Sequence, residues 1–267
     1  MSNEYQYISW TGFKKFVSCP QSYYLEYIED NLPKVRDERN TLRGNTMHTL
    51  LEEYIAQGVN NTSWLMSNVD RIWNELVSNS YVVWKHKDDE EQLKTKLYQW
   101  TQNLARILDE LKIDVNKCQS EVKADSYIML GKYKVKMGAR VDLILKTKLG
   151  DTIFFDLKAS ENKSIMEFDQ IVWYAIVMGL YLGSSTQPKY GGYLLPGFDS
   201  IKIYEVPTDA KSSLLGRLHK VVKQIDEKIW TPIPENSKCY RCPVKHACPL
   251  VGKALPHKSG LITLGEL

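Results

Sequence analysis

The sequence lacks the long hydrophobic runs of a membrane protein. Its longest nearly apolar stretch, Ile171 to Leu182, is about a dozen residues, whereas a spanning helix needs about 20. The N-terminus has no charged segment followed by an apolar one, which is the layout of a secretion signal. Internal repeats and low-complexity stretches are also missing. We therefore expect a cytoplasmic protein that has no membrane partner.

The sequence has no strong charge imbalance either. Lys and Arg exceed Asp and Glu by 35 to 32, an excess that is compatible with a polyanionic partner but too small to prove one. No Walker-type G-x-x-x-x-G-K-[ST] motif occurs, so any helicase activity would belong to a separate chain. Hydrophobic residues make up 43% of the 267 residues, which is enough to bury a substantial core.

Cysteine is scarce, and the five cysteines present do not indicate disulfides. An odd number without a secretion signal argues against a disulfide framework. Cys239, Cys242 and Cys248 lie within ten residues near the C-terminus, whereas Cys19 and Cys118 are isolated. The clustering predicts a bound metal ion or cluster.

Helical patterns fill the first half of the chain, and short strand patterns follow. Apolar spacing and capping residues predict helices near residues 9–16, 20–27, 40–56, 64–84, 89–111, 166–182 and 209–229. Strands are predicted within residues 117–160 and at 190–195 and 201–206. This order predicts an α/β (α+β) fold with a sheet flanked by helices. We expect one integrated domain with three regions: a helical region (1–116) that contributes Cys19 and His48, a core (117–230), and a cysteine segment and tail (231–267).

Two aspartates are predicted to face each other on neighbouring strands. A hairpin turning near Leu149 would place Asp142 and Asp156 symmetrically about the turn, with Cβ atoms about 5 Å apart. Lys158, two residues after Asp156, points to the same face. Opposed carboxylates in apolar strands repel each other and are costly to desolvate, and a divalent cation such as Mg²⁺ or Mn²⁺ removes that cost. An isolated D-x-K tripeptide, in contrast, is usually a loose ion pair on a solvated face.

Four other polar residues are candidates for the same site. The imidazole of His48 can ligate such a cation, although alone it fits a capping or core histidine better. Gln170 and Tyr174 lie at i and i+4 on one helix face, where they either hold a phosphate or the attacking water, or lie at the rim of the core. Glu121, at the start of the first strand, is a candidate accessory acid, although an exposed edge carboxylate is the commoner role.

Taken in order, these motifs resemble the RecB-like branch of the PD-(D/E)xK nuclease superfamily. That branch shows a G-x-x-x-H helix, a G-x-x-D strand, a (D/E)-x-K strand and a Q-x-x-x-Y helix. Here the motifs are Gly44 to His48, Ala139 to Asp142 (preceded by Gly138), Asp156 to Lys158, and Gln170 to Tyr174. The opening segment from Ile8 to Cys19-Pro20, with the tyrosine-rich helix after it, is also similar. The resemblance implies a restriction-endonuclease-like fold with a central mixed sheet.

The resemblance also implies the roles of these residues. His48, Asp142, Asp156 and the Leu157 carbonyl would hold one or two Mg²⁺ or Mn²⁺ ions. Lys158 would position the nucleophile or stabilise the phosphate oxygens, and Gln170 and Tyr174 would orient that group or the DNA backbone.

The function so implied is a DNA exonuclease of recombination, repair or DNA end processing. A separate helicase or recombination protein, and a second copy of the chain, are candidate partners besides DNA. A structure-specific endonuclease is one alternative. A non-catalytic DNA-binding subunit with a structural metal cluster is the other, and the intact set of His48, Asp142, Asp156 and Lys158 argues against it.

The cysteines resemble those of the iron–sulfur nucleases, such as the CRISPR-associated iron–sulfur exonuclease and the AddB nuclease domain. In those proteins four thiolates hold a 4Fe–4S cluster, and Cys19, Cys239, Cys242 and Cys248 match them. Cys118 has no counterpart and is expected to be a small buried hydrophobe. Four thiolates can also hold Zn²⁺, and spacing alone does not decide. The long separation of Cys19 from the other three favours the cluster, because structural zinc usually uses tighter local pairs.

Overall fold

A mixed sheet of six strands is the framework of the fold. The computed structural model describes residues 6–31, 38–146, 152–183, 188–251, 254–257 and 260–263. The strands are β1 (Gln6–Ser9), β2 (Cys118–Leu130), β3 (Tyr133–Lys146), β4 (Thr152–Leu157), β5 (Tyr190–Leu195) and β6 (Ser200–Glu205). Their order is β1-β3-β4-β5-β6, and β2 pairs with β3. The β4–β5 pair is parallel, while β3–β4 and β5–β6 are antiparallel. The predicted α/β fold with a central mixed sheet is confirmed.

The helices follow the predicted order along the chain. They are α1 (Trp10–Ser18), α2 (Pro20–Tyr23) with a π-helical turn (Tyr24–Ile28), α3 (Arg39–Gln57), α4 (Ser63–Asn79), α5 (Asp89–Glu110), α6 (Phe168–Leu182), α7 (Thr208–Asp226) and α8 (Asn236–Tyr240). A separate two-stranded sheet, β7 (Ala254–His257) and β8 (Gly260–Thr263), follows. Ser9 caps α1 as predicted, because its hydroxyl accepts a 3.1 Å hydrogen bond from Gly12 N.

Helix α4 is shorter than the sequence pattern predicts. It ends at Asn79 rather than near Trp84, and Ser80 already has an extended backbone. The next residues include Val82 and Val83, whose β-branched side chains disfavour a helix. The carbonyl of Tyr81 instead accepts a 2.9 Å hydrogen bond from Glu38 N. In the part of the chain that the structure describes, no helix has both the length and the apolar character that crossing a bilayer requires.

The chain divides into two compact units. The cysteine unit consists of Met1–Val35, Tyr127–Met137 and Leu215–Leu267, and the carboxylate unit consists of Arg36–Ser126 and Gly138–Leu214. All four matched cysteines belong to the first unit, and every other candidate site residue belongs to the second. The three-region division inferred from the sequence stays a prediction.

The core of the carboxylate unit fixes the register of β4. Phe155 and Leu157 are buried in one cluster with side chains of α3, α4 and α5, such as Met47, Trp73 and Leu104. Since side chains alternate along a strand, Asp156 points to the opposite face. A shift of the β4 register by one residue would turn Phe155 and Leu157 away from this core and turn Asp156 into it. The core therefore determines the direction in which the Asp156 carboxylate points.

Helix α6 packs closely on β5, because Gly191 makes room for it. A Cβ atom at Gly191 would lie 2.2 Å from the Phe154 ring and 2.9 Å from Ile171, so only glycine allows this approach. Trp173 Nε1 also donates a 2.9 Å hydrogen bond to the Gly138 carbonyl. Helix α6 is therefore held firmly against the strands that carry the aspartates.

In the cysteine unit, aromatic rings join the first helices to the segment before α8. The Trp230 ring stacks on Tyr24 with the centroids 4.9 Å apart, and it also contacts Tyr23 and Phe16. These rings bury a large apolar area. Their packing draws the start of the cysteine segment towards α1 and α2.

Candidate active site

Asp142 and Asp156 lie next to each other on adjacent antiparallel strands, as predicted. The register pairs Leu143 with Phe155 and Ile144 with Phe154, so its continuation sets Asp142 opposite Asp156. The two residues are 6% and 5% exposed. The turn expected near Leu149 lies outside the described residues, but the described pairs on both strands have the register that such a hairpin requires.

The two carboxylates are held in different ways. Asp142 Oδ2 accepts a 2.6 Å hydrogen bond from Leu157 N. Asp156 Oδ1 accepts hydrogen bonds from Gln170 Nε2 at 2.7 Å and from the Tyr174 hydroxyl at 3.1 Å. The other oxygen, Asp156 Oδ2, is also buried and accepts neither of these two hydrogen bonds. It forms an ion pair with Lys158, whose Nζ lies 2.8 Å away.

His48 and Glu121 complete the group of potential metal ligands. Helix α3 places His48 Nδ1 3.2 Å from Asp142 Oδ1 and 3.6 Å from Glu121 Oε1. One ligand atom from each of these three residues lies within 4.8 Å of the others. His48 therefore lies at the site, as predicted, rather than being a capping or core histidine.

Glu121 is not the exposed edge carboxylate that its position suggests, because its side chain is only 8% exposed. Its backbone has φ 52° inside strand β2, a left-handed conformation that is strained for a residue other than glycine. The side chain contacts His48 and also Arg140, which the sequence analysis did not assign to the site. Arg140 lies two residues before Asp142 on β3, so strand alternation alone could have placed it on the same face.

Burial and like charge dominate the electrostatics of the site. Burial raises the pKa of Asp156, and the negative charge of Asp142 raises it further, against the opposing effect of Lys158. Burial lowers the pKa of His48, but hydrogen bonds to Asp142 and Glu121 outweigh this effect and raise it to about 10. Burial also raises the pKa of Tyr174, so this residue stays a neutral hydrogen-bond donor. Three carboxylates therefore converge on the site, and the positive charges of His48, Arg140 and Lys158 offset them in the absence of a metal ion.

The site opens to solvent through a cleft of about 740 Å³. This volume is in the range of ligand-binding pockets. Besides the acidic residues, the cleft is lined by Gly44, Lys158 and Ser160. Gln170 and Tyr174 also line the cleft, and both donate to Asp156. Their contact with a nucleophile or with the DNA backbone stays a prediction, as does the Leu157 carbonyl as a metal ligand.

The four matched cysteines line one cavity in the cysteine unit. Its volume is about 240 Å³. Cys19 follows α1, Cys239 lies in α8, and Cys242 and Cys248 come from the loops after it. Ile233 N donates a 3.4 Å hydrogen bond to Cys19 Sγ, and Ser22 Oγ lies 3.5 Å from Cys242 Sγ. Burial raises the pKa of Cys248, and the charges of the other three thiolates raise it further.

No three of these sulfur atoms lie as close together as the ligands of one zinc ion. With Zn–S bonds of about 2.3 Å, the four sulfurs of a tetrahedral site lie about 3.8 Å apart. Among the described residues, His48, Glu121 and Asp142 form the one group of three or more such side chains with ligand atoms within 4.8 Å of one another. No three of the cysteine sulfurs are therefore that close. Cys118 belongs to the carboxylate unit and packs, partly buried, at the edge of its core.

Comparison with known proteins identifies the family. The family model described as the PD-(D/E)XK nuclease superfamily matches residues 7–249. The chain belongs to the PD-(D/E)XK nuclease superfamily. No curated protein matches it.

Two solved structures resemble this PD-(D/E)XK nuclease over most of its length. The structure of SSO0001 is 16% identical, covers 92% of this chain and 87% of its own, and has a TM-score of 0.43. A protein from Eubacterium rectale, named "Putative exonuclease", is 12% identical, covers 94% and 91%, and has a TM-score of 0.49. At these values neither likeness supports a conclusion about function.

The residues present fit the divalent metal ion that PD-(D/E)XK nucleases use. The imidazole of His48 and the carboxylates of Glu121 and Asp142 lie within 4.8 Å of one another, and buried Asp156 adds a third carboxylate on the adjacent strand. Such an oxygen-rich donor set suits a hard cation. Asp156 Oδ2 has the Lys158 ammonium as its partner at 2.8 Å, and a carboxylate oxygen has further lone pairs with which it can bind a metal ion. A cation at this position would also offset the repulsion between Asp142 and Asp156.

Proposed function

We propose that this PD-(D/E)XK nuclease is a Mg²⁺- or Mn²⁺-dependent DNA exonuclease. The observation that carries the proposal is the pair of buried aspartates, Asp142 and Asp156, with His48 and Lys158 beside them at one open cleft. Exonucleolytic cleavage, and a role in recombination, repair or end processing, rest on the ordered motif set. A helicase or recombination partner and self-association stay predictions.

His48, Glu121, Asp142 and Asp156 are the residues that would hold the metal. When bound, such an ion lowers the pKa of water and neutralises charge that develops on the phosphate oxygens. Lys158 supplies a second positive charge at the same place, since its ammonium lies 2.8 Å from Asp156 Oδ2. Its backbone N donates a 2.9 Å hydrogen bond to the Leu194 carbonyl. This bond continues the β4–β5 ladder and positions the ammonium for phosphate oxygens at the cleft.

Gln170 and Tyr174 act on the reaction through Asp156. Both donate to Oδ1, which leaves Oδ2 directed away from them. Tyr193 supports this arrangement, because its hydroxyl donates to the Glu167 carbonyl at 2.7 Å and lies 3.4 Å from Gln170 Oε1. The orientation of the carboxylate is therefore set before any ligand arrives, which reduces reorganisation during the reaction.

For the cysteine unit we propose a structural 4Fe–4S cluster bound by Cys19, Cys239, Cys242 and Cys248. Support comes from the common cavity and from sulfur spacing wider than a single zinc ion needs. Such a cluster would tie the N-terminal helices to the C-terminal segment, and closing so long a loop constrains the unfolded chain.

Digestion of DNA in the presence of Mn²⁺ tests the proposed activity. The substrates are end-labelled linear single strands, linear duplexes and covalently closed single-stranded circles, and the controls are EDTA and Asp156→Ala. We expect wild-type protein to degrade linear strands from an end and to spare the circles. Cleavage of circles would show that the protein is an endonuclease rather than an exonuclease. If no substrate is cleaved in a metal-dependent way, the proposed nuclease activity is wrong.

A further inference from the structure

A second pocket lies between α3 and α5, outside the group of carboxylates. It has a volume of about 360 Å³ and is lined by Arg39, Arg43, Asp89, Gln92, Leu93 and Lys96. Three of these six side chains are cationic and one is anionic. Such a lining favours an anionic ligand.

Arg43 is the central residue of this pocket. Its Nη1 is buried and has no hydrogen-bond partner, although a guanidinium nitrogen in a protein interior normally has one. The guanidinium lies over the Trp100 ring, 4.5 Å from the centroid, so its plane and position are fixed by stacking. A fixed, partly dehydrated guanidinium with a free donor is suited to binding a phosphate oxygen.

The other charges of the pocket are already paired. Arg39 Nη1 lies 3.2 Å from Asp89 Oδ2, and Lys96 Nζ lies 2.6 Å from Glu161 Oε2. Three cations and two carboxylates leave one positive charge, with Glu161 shared between Lys96 and Arg43. An anion that approaches Arg43 can also reach the Lys96 ammonium, whose side chain is 47% exposed.

The pocket and the catalytic cleft share two chain segments. On α3, Arg43 is followed by Gly44, which lines the cleft, and then by His48. Beyond β4, Ser160 lines the cleft and the next residue, Glu161, pairs with Lys96. The helix rise separates Arg43 from His48 by about 7.5 Å along the axis, which about two stacked nucleotides span at roughly 3.4 Å each.

We propose that the Arg43 pocket binds a phosphate group of the DNA strand, about two nucleotides from the bond that is cleaved. The proposal rests on DNA as the substrate. In it Arg43 donates from Nη1 to the phosphate, Lys96 supplies a second charge, and Gly44 leaves room for the strand between this phosphate and the metal site. The phosphate is either an internal phosphodiester or the terminal phosphate of the strand.

Binding measured without catalysis tests the pocket directly. Fluorescence anisotropy of a labelled single-stranded oligonucleotide in EDTA compares wild type with Arg43→Gln and Lys96→Gln. The matched controls remove the same charge outside the pocket: Arg71→Gln on α4 and Lys94→Gln on α5. We expect about tenfold weaker binding for the two pocket variants and a salt slope smaller by about one, with the controls close to wild type. Pocket variants that bind like their controls would overturn the proposal.

A kinetic comparison separates this pocket from the active site. A p-nitrophenyl ester of thymidine monophosphate is too short to occupy the active site and the Arg43 pocket at the same time. We expect the ratio of oligonucleotide to ester hydrolysis in Mn²⁺ to fall about tenfold in Arg43→Gln and Lys96→Gln and to be unchanged in Arg71→Gln and Lys94→Gln. An unchanged ratio in the pocket variants of an active enzyme rejects the pocket alone. An inactive wild type that still shows the binding differences rejects only the nuclease activity.

Two further measurements identify the phosphate and control for folding. If oligonucleotides without terminal phosphates lose the effect of Arg43→Gln, the pocket binds a terminal phosphate, and if they keep it, the pocket binds an internal one. Thermal unfolding shows whether Arg43→Gln folds. Lys96→Gln changes an exposed side chain, so it tests the pocket even if loss of the Trp100 contact destabilises the first variant.

Discussion

Gln170 Nε2 donates a 2.7 Å hydrogen bond to Asp156 Oδ1, while Asp156 Oδ2 pairs with the Lys158 ammonium 2.8 Å away. The same amide nitrogen lies 2.9 Å from the Tyr174 hydroxyl, so the two side chains of α6 form one network around a single carboxylate oxygen. A helix that is buried on nearly all sides thereby uses its few polar groups to orient one carboxylate of the candidate metal site. The Q-x-x-x-Y spacing of the sequence is explained by this contact.

Removal of this network should weaken metal binding more than it weakens the fold. We expect Gln170→Leu and Tyr174→Phe to raise the Mn²⁺ concentration for half-maximal activity about 10- to 100-fold, because groups that orient metal ligands typically contribute this much. Activity measured against Mn²⁺ concentration gives the value. Tyr181→Phe is the control, since Tyr181 is an exposed tyrosine on the same helix. Equal metal dependence in all three variants would show that Asp156 does not need the network.

The placement of the aspartates could be predicted from the sequence, whereas the rest of the metal group could be predicted only in part. Strand alternation and the symmetry of a hairpin depend on local geometry, so they place Asp142 opposite Asp156 without tertiary information. Glu121 joins the site through a positive φ inside a strand, and no residue pattern encodes that conformation. Arg43 is equally hidden, because its significance arises from a buried nitrogen without a partner, which depends on how α3 and α5 pack.

Gly44 is expected to lower the stability of the protein and to give the DNA strand access to the cleft. A Cβ at this position would meet no atom within 4 Å, so packing does not require glycine in the middle of α3. Gly44→Ala should therefore stabilise the protein by about 0.5–1 kcal/mol and raise KM for DNA, because the methyl group points into space that the strand would occupy. Thermal unfolding and steady-state kinetics give both values. Gly216→Ala on α7, also without contacts, should stabilise the protein and leave KM unchanged. An unchanged KM in Gly44→Ala would show that the strand does not pass this point.

His48 should make the metal-free protein less stable at alkaline pH. Its pKa is about 10 in the folded protein, against 6.5 for an ordinary histidine, owing to Asp142 and Glu121. A raised pKa means that the folded state binds the proton more tightly, so the contribution to stability is complete below pH 6.5 and is lost as the pH rises to 10. We expect the Tm difference between wild type and His48→Gln in EDTA to shrink over this window. The control is the same titration with saturating Mn²⁺, where a metal-bound imidazole is neutral throughout. A difference in EDTA that is constant from pH 6.5 to 10 would contradict the assignment.

The cysteines should separate into four that bind iron and one that does not. We expect anaerobically purified protein to contain about four iron atoms and to absorb broadly near ~400 nm, and single substitutions of Cys19, Cys239, Cys242 or Cys248 by Ala to lose both signals and to lower the Tm. Cys118→Ala is the matched control and should keep them.

Cys118 also differs chemically from the other four residues. Burial raises its pKa to about 11, with a further contribution from Asp114, so it is a thiol at neutral pH and should react slowly with iodoacetamide. The four cavity cysteines should become reactive only after the cluster is removed.

Zinc in place of iron in protein purified anaerobically from iron-supplemented cells would refute the cluster and show that the cavity contracts around a smaller ion. If Cys118→Ala were the one variant that loses iron, the cluster would have to lie in the carboxylate unit. Because the two units carry separate sets of ligands, the iron content and the Mn²⁺ dependence of cleavage should respond to different substitutions, and each set can be tested while the other is left intact.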